Sequence, residues 1–244
     1  MPDKVTNALL PFAEQIAFFK RKLNLPTKKW DDILTAAHDQ AFIVAGAQNA
    51  DMLQDLRDAV DGAISEGQSI QKFRESFDAI VEKFGWSYTG ERDWRTRVIY
   101  RTNMSTSYAA GRNRQLQRFE FWKYKHNDSA AHPRPLHQSW DGLVLPKSDP
   151  WWQTHFPPNG WGCGCRAVAV TPGEARAAGY TQPPDDGTYT KTGRDGVVHT
   201  IPRGIDYGFD YAPGAPGNDW QPDYSRYSPE LADALRQHLA GGAA

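Results

Sequence analysis

DWRTRVIYRTNMSTSYAAGRNRQLQRFEFWKYK, residues 93–125, contains the change of period on which the fold turns. From Asp93 to Arg118 the pattern is helical. Val98, Thr102, Ser105, Ala109 and Arg112 share one face, and Arg97, Arg101, Tyr108 and Gln115 share another. Small residues from Ser105 to Gly111 let a second element approach this helix closely. From Phe119 to Lys125 aromatic residues alternate with polar or charged ones, the two-residue period of a strand. A long helix followed directly by a strand predicts an α+β fold.

Working outward, Asp141-Gly142 is a turn signal, after which Leu143-Val144-Leu145 returns as a strand. Arg166 to Thr171 reads as another strand ending at Pro172. The long helix is therefore expected to pack on a small antiparallel sheet, with a Pro/Trp-rich loop cluster between the strands. Upstream, Phe12, Ile16, Phe19 and Leu23 make an amphipathic stripe. A helix entered near Trp30 places Ala37, Ala41 and Val44 on one face. Asp51 is the expected N-cap of a helix through Leu53, Leu56, Val60 and Ile64 that stops at Gly67, and Ser69 starts the next. Beyond Pro172 the chain is rich in Gly, Pro, Asp and Tyr, with one strand expected at 197–201 and one helix at 229–239. The Tyr207–Pro222 aromatics have no period and are expected to wrap over another surface. The expected organisation is a helical region 1–90, a core 91–172 and an irregular extension 173–244.

Across 244 residues, 28 Lys plus Arg nearly balance 29 Asp plus Glu, so no global field recruits a polyanion. A mean hydropathy of -0.67 and the lack of a long apolar run argue against a membrane-spanning helix. The opening Met1-Pro2-Asp3-Lys4 lacks the basic-then-apolar pattern of a secretory signal. Two cysteines are too few for a disulfide framework, which fits synthesis in a reducing cytoplasm.

Both cysteines fall in HFPPNGWGCGCR, residues 155–166, downstream of HPRPLH, residues 132–137. Cys163 and Cys165 with His137 and His155, or His132 as a substitute, make a sulfur-and-nitrogen set suited to zinc. The same residues also read as small buried thiols and loop histidines. A third reading pairs a cysteine nucleophile with a histidine oriented by Asp141 or Asp128, but no recognisable nucleophile motif surrounds either cysteine. Trp151, Trp152 and Trp161 flank the Pro-Pro-Asn-Gly tip, where Asn-Gly readily takes positive φ. They suit either a self-packed loop or a patch for a partner. Arg97, Arg101 and Arg112 make the long helix locally cationic, as a solvated face or a contact for nucleic-acid phosphates.

Several blocks resemble the phage Mu F-like minor head proteins, related to wider phage head-morphogenesis domains. They are Phe18 to Thr27 with Trp30-Asp31-Asp32, Ala36 to Asp39 with Ala41 to Gly46, and Val98 to Asn103 with Tyr108 to Arg112. Further blocks are Arg134 to His137, Asp141-Gly142, Asp149 to Trp152, Thr154 to Trp161, Cys163 to Arg166 and, more loosely, Gly204 to Tyr211. The resemblance implies a low-copy, non-enzymatic protein of the virion head. It would be made in the host cytoplasm and act in head morphogenesis at the portal or capsid interior, in DNA packaging or delivery. Portal protein, major capsid protein and phage DNA are the partners it implies, with no membrane. The alternatives are a DNA-binding virion protein using the Arg-rich helix, or a Cys/His-dependent toxin-like enzyme. Related domains pair a Cys-x-x-Cys with a His-Pro-Asn-Cys-x-Cys block. Here the upstream cysteines are absent, and His132 and His137 stand in roughly that region.

Overall fold

The computed structural model describes residues 12–130, 132–179, 182–216, 220 and 222–241. The order begins with α1 (Ala13–Lys20), β1 (Leu23–Asn24), α2 (Ala37–Gln40) and β2 (Ala41–Phe42). The helices α3 (Ala50–Glu66), α4 (Ile70–Phe84) and α5 (Arg92–Leu116) follow. Next come β3 (Phe121–Lys125), α6 (Pro135–Ser139), β4 (Val144–Pro146), α7 (Trp151–His155) and β5 (Arg166–Val170). The order closes with α8 (Pro172–Ala178), β6 (Thr188–Thr192), β7 (Val198–Pro202) and α9 (Pro229–Gly241). The fold is α+β.

The N-terminal helices form because each has an apolar face and a defined start and stop. Ser69 caps α4 through the Lys72 N–H, and Gly67, at φ 71, ends α3 in the left-handed region. Leu53, Leu56 and Val60 of α3 meet Phe73 and Phe77 of α4 in one core, with Phe19, Phe42 and Ile99. The start of α3 differs from expectation. Asn49, not Asp51, is the cap, accepting from the Met52 N–H at 2.9 Å.

The expected helix from Trp30 to Val44 is replaced by turns, one short helix and a parallel bridge between β1 and β2. Asp32 accepts the Lys28 and Lys29 N–H groups at 2.7 and 2.9 Å, a local bond that competes with helix. The apolar spacing there is real but reports burial: Ile33, Ala37 and Ala41 pack against Leu235 of α9.

Helix α5 joins two cores. Ile99 belongs to the helical one, whereas Ala109 and Leu116 belong to a second built on the sheet. That sheet has the order β4-β3-β5, all antiparallel, with Trp122 opposite Leu145 and Ala169. Its inner face places Trp122, Tyr124, Leu145 and Ala167 with Ala109 and Leu116, and the Trp122 indole donates to the Leu116 carbonyl at 2.9 Å. Its outer face, Phe121, Val144 and Val170, is closed by Ala175 of α8. The alternation in 119–125 thus has a buried residue type for both faces. Downstream, β7 pairs with β6, a strand the sequence reading missed. Tyr207, Phe209 and Ala212 lie in the second core, so this stretch covers the sheet domain as expected. Residues 217–219 and 221 of it lie outside the described residues.

Candidate metal centre

His137 is presented by the short helix α6, which Pro135 starts. The two cysteines follow a turn in which the Cys163 N–H donates to the Gly160 carbonyl at 3.1 Å. His137 Nδ1 lies 3.7 Å from the Cys163 Sγ and 3.7 Å from the Cys165 Sγ. All three ligand atoms lie within 4.8 Å of one another. Two ligands on a tetrahedral zinc, at usual Zn–S and Zn–N lengths, stand about 3.6–3.8 Å apart. The observed separations match that spacing and are also within the range of hydrogen bonds to sulfur.

The histidine is held in the tautomer a metal needs. Its Nε2 is 2.8 Å from the Gly204 carbonyl, which can only accept, so Nε2 keeps the proton and the Nδ1 lone pair faces the sulfurs. The ring is 2 % exposed and stacks on Trp140, at 5.2 Å between centroids. The Cys165 thiol is pulled down by its hydrogen bond to Cys163, against burial. The Cys163 thiol is pushed up by that same bond to Cys165 and by burial.

A buried polar shell surrounds the cluster. The Tyr124 hydroxyl donates to Asn159 Oδ1 at 2.9 Å, and Asn159 Nδ2 donates to the His155 carbonyl at 2.8 Å. Burial, followed by the neighbouring cysteines, drives the Tyr124 phenol upward, so it stays protonated. Asn159 is wholly buried, and neither it nor Gly160 takes positive φ; Gly162 does, at φ 71. The expected Asn-Gly turn is thus replaced by an amide spanning the loop. Gly160 is needed for close approach: a Cβ there would land on Arg134 and Asp206. Those two form an ion pair at 2.8 Å, and Asp206 also accepts the Trp161 N–H at 2.9 Å.

Of the sequence candidates, the structure brings together His137, Cys163 and Cys165. His155 sits close by but outside the group. Its Nδ1 faces the Trp151 carbonyl at 3.1 Å and the Thr154 hydroxyl at 2.8 Å, its ring stacks on Trp151, and burial holds its pKa down to about 4. His132 is exposed and also outside the group. Trp151 and Trp152 are buried in the sheet core, and Trp161 is 39% exposed. Arg97 and Arg101 are exposed, and Arg112 bonds Gln115 at 2.8 Å. Tyr124, Asn159, Gly204 and the Arg134–Asp206 pair were missed as supports of the site. The Gly204–Asp206 segment was the legible signal, lying in a block already singled out.

Comparison with known proteins adds to this geometry. The family described as Phage Mu protein F like protein matches residues 54–168. The putative capsid assembly protein F of Escherichia phage Mu is 30% identical over 276 residues, covering 97% of this chain and 62% of that protein. The Mu-like prophage FluMu F protein of Haemophilus influenzae is 31% identical over 176 residues, covering 66% of this chain and 42% of that protein. The chain thus spans less than two thirds of either relative. No solved structure matches it.

Proposed function

This chain is a Mu F-like protein, and from that premise we propose that it is a bacteriophage head-assembly protein that works by binding, not catalysis. The observation that carries the reading is similarity along 97% of the chain to a protein named for capsid assembly. The partners are the portal protein, the major capsid protein or both, and the site of action is the portal or capsid interior. The chain is made in the host cytoplasm and ends in the virion head. No helix among the described residues is long and apolar enough to cross a membrane.

In this reading His137, Cys163 and Cys165 hold a structural zinc. The donor set supplies three of the four ligands of a tetrahedral structural zinc: two sulfurs and one imidazole nitrogen fixed by its carbonyl partner, with the fourth position left to solvent or a partner. A bound zinc would cross-link α6, the cysteine loop and, through Gly204, the turn after β7. These segments have few regular backbone bonds of their own. Ligation also occupies the only thiols, which removes them as nucleophiles.

The test is to delete the gene from its phage and to tag the chain in the intact phage. Heads should fail or arrive misassembled without it, and the tagged chain should copurify with heads and with portal or major capsid protein. Normal infectious heads that lack the chain would overturn the proposal.

A further inference from the structure

A cavity of about 540 Å³ opens between α5, the β2 segment and the Trp-rich loop. Its walls include the indoles of Trp30, Trp94 and Trp161, with Thr102 and Asn103 offering polar atoms and Lys22 and Arg95 the charge; among the described residues no Asp or Glu lines it. Trp94 and Trp161 stand at 52% and 39% exposure, large for indoles.

Beside this groove the outer face of α5 is a cationic row with exposed rings. Trp94, Arg97, Arg101, Tyr108 and Arg112 fall within about 60° of one another around the helix and extend over about 27 Å. The structure sorts the arginines that the sequence left mixed. Arg92 is paired with Asp78 and Asp93, and Arg95 is buried against the Ala45 and Thr89 carbonyls. Among the described residues Arg97, Arg101 and Arg112 form no ion pair; Arg112 bonds only the neutral Gln115. Charges left without counterions on one face, beside rings that face solvent, suit a ligand with repeated anions and flat apolar groups.

The geometry points to a binding surface for single-stranded nucleic acid. The backbone phosphates lie along Arg97, Arg101 and Arg112, and an unstacked base turns onto Trp94 at the mouth of the groove. Base stacking on exposed aromatics combined with a basic track is how sequence-tolerant single-strand binders work. A duplex would meet the arginines but could not present a base face to Trp94 without unstacking. An acidic peptide would supply anions but has no use for the alternating rings. This activity does not depend on the head-assembly reading and can fail or succeed separately.

The experiment is tryptophan-fluorescence titration of the full chain with an oligothymidylate of about 15 nucleotides. A duplex of equal length and polyglutamate run beside it. The single strand should quench fluorescence and bind more tightly than either competitor. Three phosphate contacts predict that log affinity falls against log salt with a slope of about -2, and Arg97→Ala with Arg101→Ala should flatten it by about 1.4. Trp94→Ala should weaken binding about tenfold or more at any salt. All three side chains are exposed, so the variants should keep the wild-type melting temperature, which is measured in parallel. No quenching, equal binding of duplex or polyglutamate, or variants that bind as wild type would overturn the inference.

Discussion

If His137, Cys163 and Cys165 hold the proposed zinc, stripping it should cost this protein a measurable share of its stability, and the structure sets the scale. A zinc there would tie residues 26 and 28 apart in sequence, and the Gly204 carbonyl that orients His137 adds a link across 67 more. These ties join segments that unfold together, so metal affinity is folding free energy. With free zinc a thousandfold above Kd, binding to the folded state alone contributes about 4 kcal/mol. For a chain of 244 residues each kcal/mol moves Tm by roughly 2–4 °C, so chelation should lower Tm by roughly 8–16 °C. The assay is calorimetry with and without chelator, alongside metal analysis of the purified protein and of Cys165→Ser. Wild type should carry about one zinc per chain and the variant little or none. Cys163→Ser with Cys165→Ser should melt close to Cys165→Ser alone, because the two ligands act as one unit. Cobalt should give the thiolate charge-transfer bands of a tetrahedral site. A metal-free wild type whose Tm moves by less than about 1 °C on zinc addition would refute the reasoning.

Other perturbations test the supports around the site and the fold. Gly160→Ala forces a methyl onto the Arg134–Asp206 pair and should lower stability by about 1–3 kcal/mol in a urea melt, whereas a silent substitution would mean the loop tip yields freely. Phe73→Ala removes a wholly buried ring shared by α4 and α5 and should cost about 3–5 kcal/mol by the same method. Burial, then the nearby Lys22 charge, holds His38 down to about 4, so the folded state resists a proton that the unfolded chain accepts. Its depressed value leaves stability intact above about 6.5 and erodes it as pH falls from there toward 4. His38→Gln should flatten urea-melt stability across that window, and an unchanged pH profile would remove His38 as the cause.

The α+β class was legible because the period of the chain changes from helical to alternating within residues 93–125, and both faces of β3 are then covered. The caps at Ser69 and Gly67 were legible for a similar reason, since their chemistry is local. Ala37 and Ala41 were misread as one long helix because spacing reports burial, and the Asp32 bonds that break the helix compete with it from within the turn. His137, Cys163 and Cys165 could be named as chemistry from residue type alone. Their convergence could not. It depends on α6 and the cysteine loop meeting over β3, and on a glycine carbonyl 67 residues away choosing the imidazole tautomer. His155 looks equivalent to His137 in sequence, yet stacking on Trp151 and bonding within its own turn turn it to other partners. The paired and unpaired arginines of α5 likewise differ only through neighbours such as Asp78, which the chain brings close by folding. Local backbone preference and hydrophobic period act over a few residues and are written in the sequence. Ligand geometry, tautomer and the pairing of charges depend on groups distant along the chain, and only the tertiary structure decided them.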